Sequence, residues 1–205
     1  MNSNIKIRIA INGFGRIGRA IARINERHKN FDLVLINDIN PYVDNLAYLF
    51  KYDSTYGKFD GEVENIGNKL SINNNHIECF SCQDILEVPW EDYDIDVIID
   101  SSGITSNAIK GKEIVKRGLA SKIILTHSSN ETDFEVIMGV NDNELSNKHE
   151  VVSNSICDAN AIAHIMKWMD DEYGHTYEET IKFLEYVYKE FNGEIPCNPS
   201  VKVIE

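Results

Sequence analysis

Two rhythms of hydrophobic residues alternate along the chain. Residues 5–11, IKIRIAI, place isoleucine at every second position and finish in an apolar pair, the repeat of a half-buried strand. Residues 16–28, RIGRAIARINERH, switch to the 3.6-residue spacing of an amphipathic helix. Residues 33–38, LVLIND, then read as a buried strand ending in polar residues, which completes a βαβ unit. A helix ending in a turn is predicted over 44–57. Short strands follow at 57–63 (GKFDGEV), 69–72 (KLSI) and 76–80 (HIECF), with the asparagines at 73–75 as the turn between the last two. Strands at 96–100, 122–126, 135–140 and 151–155 surround a helix at 107–118 that Gly118 terminates. A strong helix over 158–174 ends at Gly174. An amphipathic helix over 177–191 carries Ile181, Leu184, Tyr188 and Phe191 on one side, and a loop with a short terminal strand closes the chain. Strands alternating with helices predict an α/β fold with a mostly parallel, doubly wound sheet.

The chain holds 205 residues, which suits one large domain or one domain with an appendage. No repeat, low-complexity tract or Pro/Gly/Ser linker divides it. The expected organisation is a nucleotide-binding domain over 1–157 with a helical C-terminal extension over 158–205 packed on it. Hydrophobic content of 42% and charged content of 26% are those of a soluble globular protein. No apolar run approaches the roughly 20 residues of a membrane helix, and the N-terminus lacks a signal core with a cleavage site. The expectation is a cytoplasmic protein with no membrane partner. A net charge of −13 argues against nucleic acid and anionic membranes as general partners, and disfavours long-range capture of phosphorylated substrates. Cys79, Cys82, Cys157 and Cys197 are expected to be reduced thiols. Cys79 and Cys82 form a C-x-x-C, but there is no second pair and no neighbouring His/Cys cluster. The spacing reads as coincidence, and no metal is expected.

The chemistry concentrates at two places. Gly13, Gly15 and Gly18 make a G-x-G-x-x-G between a strand and a helix, the context in which that spacing binds a dinucleotide. The first glycine permits the tight turn, the second lets the backbone approach a pyrophosphate, and the third lets helix and strand pack closely. The amides and dipole of the helix start then face the phosphates. Asp38, 20 residues past Gly18, can accept hydrogen bonds from the adenosine ribose hydroxyls and would repel a 2′-phosphate. NAD is therefore the expected cofactor, in preference to NADP. The second place is Cys157, after a strand and at a helix start, where the dipole favours a thiolate. Such a thiol could attack an aldehyde, giving a thiohemiacetal that passes hydride to NAD. The alternative is a buried structural cysteine, and Asp158 beside it opposes thiolate formation. Among the six histidines, His127 follows a strand at the expected cleft and is the candidate base, against the commoner structural role of a lone histidine.

These segments resemble the phosphorylating glyceraldehyde-3-phosphate dehydrogenases. INGFGRIGR (11–19) resembles their N-terminal signature, YDSTYGKFDGEV (52–63) their Y-D-S-T-H-G-x-F loop, and DSSG (100–103) their E-S/C-T-G. VIMGVN (136–141) resembles their F-V-M-G-V-N, and VVSNSICDAN (151–160) their I-I-S-N-A-S-C-T-T-N. The resemblance runs from about residue 4 to about residue 173 and implies a Rossmann-type NAD-binding domain. It implies that Asn12, Gly13, Gly15, Arg16, Ile17 and Gly18 lie at the cofactor, with Arg16 and Ile17 flanking the pyrophosphate. It also implies that Ser102, Gly103 and Thr126 line the nicotinamide side, and that Cys157 is the nucleophile. Ile156, Asp158 and Ala159 replace the family's serine and two threonines, which help to hold phosphate. The T-x-H-A-Y-T segment with the family's catalytic histidine is not in the sequence, nor are its arginine-bearing phosphate loops. Residues 158–205 are accordingly expected to be a remnant of the catalytic domain.

Two functions follow as expectations. One is an NAD-dependent oxidoreductase that oxidises a small aldehyde through Cys157, with His127 or a partner chain supplying the base. The other is a non-catalytic NAD-binding or partner-binding protein on the same scaffold. A different reaction on the old site is a third reading. An uncovered nicotinamide cleft admits water, so a homo-oligomer or a hetero-partner is expected to close it.

Overall fold

A computed structural model describes residues 6–174, 176, 178–182 and 185. The elements in chain order are β1 (Arg8–Asn12), α1 (Arg16–His28), β2 (Asp32–Asn37), α2 (Val43–Lys51), β3 (Tyr52–Asp53), β4 (Gly57–Lys58), β5 (Val63–Ile66), β6 (Lys69–Ile72) and β7 (Asn75–Phe80). They continue with β8 (Val97–Asp100), α3 (Asn107–Lys116), β9 (Lys122–Leu125), β10 (Phe134–Glu135), β11 (Val151–Ser153) and α4 (Cys157–Tyr173). Residues up to Cys157 form one compact unit, and those from Asp158 onward a second. None of the described helices is long and apolar enough to cross a membrane.

Among the described residues, nine strands pair in the order β10-β11-β9-β8-β1-β2-β7-β6-β5. Every neighbouring pair from β10 to β7 is parallel. β7, β6 and β5 continue as an antiparallel meander. This is a Rossmann-type, doubly wound, mostly parallel sheet. The chain leaves β1 towards β2 on one side, and β8 joins on the other. The strand order therefore reverses between β1 and β8, and in open α/β sheets ligands bind beyond the carboxyl ends of the strands at such a reversal.

The two faces of the sheet bury separate cores, as the period-2 pattern requires. Ile9 and Ile11 of β1 pack with Leu46 and Phe50 of α2 on one face. Ala10 of β1 faces the other way, with Ile98, Ile123, Trp90 and the α3 residues Ala108 and Ile114. Trp90 is fully buried, and its indole N–H donates to the Ile85 carbonyl at 2.8 Å. Gly111 lets α3 lie close on β9, because a Cβ there would sit 3.1 Å from the Ile123 side chain. At the turn from β6 to β7, Asn73 and Asn74 have φ of 49° and 64°, a left-handed conformation that asparagine tolerates.

The structure departs from the sequence reading at two strands. Residues 57–63 are not one strand. Gly57 and Lys58 fold back on Tyr52 and Asp53 as a separate hairpin, and pairing with the main sheet starts only at Val63. Arg23 of α1 holds the hairpin there. Its guanidinium donates to the carbonyls of Phe50 and Gly57 and lies 5.5 and 5.8 Å from the Phe50 and Phe59 ring centroids. Residues 135–140 are likewise not a full strand: only Phe134 and Glu135 pair with β11. The Asn141 side chain accepts from the Ile137 N–H at 2.8 Å and donates to the Glu135 carbonyl at 3.0 Å, which winds 137–141 into a turn.

In the second unit, the Gly174 N–H donates to the Asp170 carbonyl at 2.8 Å, and a φ of 63° at Gly174 ends α4. Thr176 and Glu179 then form a reciprocal capping box, with the Thr176 N–H donating to Glu179 Oε2 at 2.9 Å and the Glu179 N–H to Thr176 Oγ1 at 3.4 Å. Residues 178–182 and 185 are helical, within the helix expected over 177–191. Leu184, Tyr188, Phe191, Cys197 and the terminal strand expected after them lie outside the described residues.

Ile98 is fully buried on β8 at the centre of the sheet. Ile98→Ala is expected to cost about 2–5 kcal/mol, read as a lower urea midpoint with an unchanged m-value.

Candidate dinucleotide site

The glycine-rich loop lies at the strand-order reversal. Gly13 follows β1 with a φ of +91°, and its N–H donates to the Asn37 carbonyl at 2.7 Å. A Cβ on Gly13 would sit 2.6 Å from the Ser102 nitrogen, so the loop after β8 passes directly over it. A Cβ on Gly18 would meet Ser101 Oγ at 2.9 Å and Ile11 Cγ2 at 3.1 Å, the close helix–strand approach expected of the third glycine. Gly15 caps α1 and has nothing within 4 Å of a Cβ position, so the loop is open on that side. Arg16 and Ile17 stand exposed in the first turn of α1, where amides have no helical carbonyl to bond. Arg19 ties the loop to the β3–β4 hairpin, donating to the Phe14 carbonyl at 3.0 Å and lying 4.0 Å from Asp53 Oδ2. The Tyr56 and Thr55 amides bond the Asp53 carboxyl and hold it below its ordinary pKa of 3.8.

Asp38 is built into the same loop. Its Oδ2 accepts from the Phe14 N–H at 2.6 Å and its Oδ1 from the Asn40 N–H at 2.9 Å. A carboxylate has about four acceptor sites, so the half-buried group keeps capacity for further donors. A cavity of about 230 Å³ opens beside it, lined by Asn40, Pro41, Leu46, Phe80, Cys79 and Cys82 among others. Burial pushes the Cys79 thiol up from 9.0 to about 11. Burial, then the Glu87 charge, pushes Cys82 up as well. Both thiols facing the cavity are neutral near neutral pH.

Under the loop runs a row of hydrogen-bonded polar side chains that the sequence reading did not find. Asn37 Nδ2 donates to Asn12 Oδ1 at 2.7 Å, and Asn12 Nδ2 donates to Asp100 Oδ1 at 2.7 Å. Asn107 Nδ2, in the first turn of α3, donates to Asp100 Oδ2 at 3.2 Å and to Ser102 Oγ at 3.1 Å. The only sequence signal was a polar residue closing each of three apolar strands. The Asn12 side-chain amide is engaged on both sides within this row.

On the opposite side of β8, the Thr126 N–H donates to the Asp100 carbonyl at 2.9 Å, which places Thr126 at the same edge as Ser102. Gly103 has a φ of +76°. Ser153 Oγ donates to the His127 carbonyl at 2.7 Å and accepts from the Ser155 N–H at 2.9 Å. His127 and the segment leading to Cys157 are thereby joined. Both His127 ring nitrogens are shut away from solvent, with no hydrogen-bond partner among the described residues. Cys157 is exposed and begins α4, two residues after Ser155, whose φ is +62°.

A glycine loop pinned beneath a β8 loop, an acid at the end of β2 and a strand-order reversal define a dinucleotide-binding domain. Residues 7–108 match the model of the NAD binding domain of glyceraldehyde 3-phosphate dehydrogenase. The chain is 40% identical over 168 residues to glyceraldehyde-3-phosphate dehydrogenase 1 of Kluyveromyces marxianus, covering 82% of this chain and 50% of that protein. It is 36% identical over 194 residues to the glyceraldehyde-3-phosphate dehydrogenase of Thermotoga maritima, covering 89% of this chain and 58% of that protein. Through its NAD-binding domain the chain belongs to the glyceraldehyde-3-phosphate dehydrogenase family, and it spans about half the length of the curated relatives it matches.

The raised Cys79 pKa makes stability depend on pH. Below pH 9.0 folded and unfolded chains both keep the thiol proton; from there to about 11 the unfolded chain releases it while the folded chain holds it. The unfolded state then binds fewer protons, so this contribution to stability falls across that window. Urea midpoints measured at both ends of the window are expected to fall less in Cys79→Ala than in the unaltered chain; parallel falls would refute the assignment.

Proposed function

We propose that the chain binds NAD in this cleft and acts as an NAD-dependent oxidoreductase on a small aldehyde. The observation that carries the reading is the join between cradle and acid. Asp38 accepts the Phe14 amide of the glycine loop, so the pyrophosphate turn and the ribose acceptor are one hydrogen-bonded piece. The fit is also supported by the open side of Gly15 and by the first turn of α1 at Arg16 and Ile17, which would flank the pyrophosphate. Asp38 would accept from the adenosine ribose hydroxyls, and the cavity beside it would take the adenine. Its negative charge favours NAD over NADP, because a 2′-phosphate would lie against it. Ser102, Gly103 and Thr126 would frame the nicotinamide side.

Cys157 is the proposed nucleophile. Its sulfur adds to the aldehyde carbon as the carbonyl π bond breaks, and the oxygen takes up a proton to give a thiohemiacetal. His127 is the proposed group that receives the thiol proton, because Ser153 ties its backbone to the segment that leads to Cys157. When bound, the nicotinamide supplies the acceptor for the hydride that leaves the substrate carbon. Ile156 and Asp158, in place of small hydroxyl residues, favour an aldehyde without a phosphate group at that position.

Calorimetry with NAD and NADP tests the cofactor. The unaltered chain is expected to prefer NAD. Asp38→Asn is expected to weaken NAD by about tenfold and narrow the gap to NADP, the scale of one charge-assisted hydrogen bond. Aldehyde-dependent NADH formation should disappear in Cys157→Ala. No saturable NAD binding at millimolar concentration would overturn the reading.

A further inference from the structure

Asn37, Asn12 and Asp100 close β2, β1 and β8, and the strand registers set them in one row: Asn12 lies opposite both Asn37 and Asp100. With Asn107 they are 3%, 5%, 0% and 3% exposed, so water cannot replace any bond in the row. The direction of the row starts at Asp100, whose carboxyl accepts from Asn12 Nδ2, Asn107 Nδ2 and the Ser102 N–H. Because Asn12 must turn its NH₂ to Asp100, its oxygen faces Asn37. Asn37 then turns its NH₂ to Asn12 and its oxygen to the Cys82 N–H, 2.9 Å away.

The row reaches both ends of the cleft. At one end lies Cys82, on the cavity beside Asp38. At the other lies the loop 101–104, where Ser102 Oγ accepts from Asn107 and from the Ile104 N–H. The adenosine end has a second anchor, Asp38, bonded to the amides of Phe14 and Asn40. The loop 101–104, which crosses over Gly13, is bonded to the glycine loop at Ser101, whose N–H donates to the Asn12 carbonyl and whose Oγ donates to the Gly13 carbonyl; beyond Ser101 it is held by Asp100 and by Asn107, which Asp100 also holds.

We infer that Asp100 is a positioning residue for the nicotinamide half of the nucleotide: through Asn107 and the Ser102 amide it fixes residues 102–104, beyond the Ser101 anchor on the glycine loop. The inference rests on the proposed binding of NAD, but the geometry also predicts which half of the site a change in this pair disturbs. In Asp100→Asn one carboxyl oxygen becomes an NH₂. Placed at Oδ1 it would oppose two donors, Asn12 Nδ2 and the Ser102 N–H; placed at Oδ2 it opposes one, Asn107 Nδ2. The amide therefore settles with its NH₂ towards Asn107. The row through Asn12 and Asn37 survives, and Asn107, whose own amide carries an oxygen, can turn over to accept from that NH₂ and from the Ser102 hydroxyl. Asn107→Ala leaves no polar atom there and removes the hold on Ser102 whichever way the Asp100 group is turned.

The test is calorimetry with NAD and with AMP, alongside amide hydrogen exchange at Ser102 and Ile104 without nucleotide. Asn107→Ala is expected to weaken NAD by about tenfold and to leave AMP within about twofold, the scale of one buried hydrogen bond. The two amides should exchange faster in it, whereas Asp100→Asn, in which Asn107 can keep the bond by turning over, should stay within about twofold for both ligands. Asn107→Leu, which fills the space without a polar atom, stands in if Asn107→Ala does not fold. Equal losses of NAD and AMP or unchanged NAD binding in Asn107→Ala, or a loss in Asp100→Asn as large as in Asn107→Ala, would overturn the positioning role. If the unaltered chain binds no NAD, the proposed function falls, and exchange at Ser102 and Ile104 alone decides whether Asp100 fixes the loop.

Discussion

Three neighbouring strands of the sheet end in polar side chains that solvent does not reach, and satisfying them sets the shape of the cleft. A buried amide or carboxyl without a partner costs roughly 1–3 kcal/mol, so Asn12, Asn37, Asp100 and Asn107 are stable only as a set. Each accepts or donates in one sense, and the sense is inherited from its neighbour. Apolar residues of similar volume would avoid that desolvation cost. They would also leave the Cys82 and Ser102 amides without their side-chain acceptors and free the two loops that leave the sheet here. The glycine loop depends on the same arrangement: only a glycine fits at position 13, because the loop after β8 lies directly over it.

A second set of polar contacts braces the cradle from outside the sheet. Arg19 and Arg23, four residues apart on α1, both reach the β3–β4 hairpin. Arg19 lies near Asp53, whose carboxyl organises the hairpin turn by accepting two of its amides, and also bonds the carbonyl of Phe14. Phe14 in turn donates its amide to Asp38. The hairpin, the glycine loop and the acid at the end of β2 are thereby coupled through one residue, Phe14, whose ring is buried against Phe50 at a centroid distance of 6.0 Å. The segment YDSTYG thus contributes to the cradle through backbone geometry.

Periodicity made the sheet legible. Helix α1 spans the residues whose 3.6-residue spacing predicted it, and the polar end of β2 marked the acid. The glycine spacing was informative because strand, loop and helix surround it, and each glycine has the steric task its position implies. What periodicity missed is long-range and depends on register. Asn12 and Asp100 are 88 residues apart, and Asn12 and Asn37 are 25 apart. Nothing local to any of them says that they share a row. Read singly, each is a polar residue closing a strand. The strands at 57–63 and 135–140 failed because one side chain outside each, Arg23 on α1 or Asn141 directly after the segment, captures backbone groups that an extended strand would have used in the sheet.

The cysteines divide by environment in a way that bears on the chemistry. Cys79 closes a buried strand and bonds the Ile77 carbonyl weakly through sulfur, and Cys82 does the same to the Glu87 carbonyl. Both face the cavity next to Asp38, and burial holds both in the thiol form. Since the thiolate is the nucleophile, these two are poor candidates for covalent chemistry however close they lie to a nucleotide. A thioether-like lining is suited to a flat, apolar ring and does not compete with it for charge. Cys157 is exposed, beyond the carboxyl end of β11, where a left-handed Ser155 turns the chain into α4. The same sheet edge therefore separates its sulfurs by burial: Cys79 and Cys82 line the cavity beside Asp38, and Cys157 stands exposed.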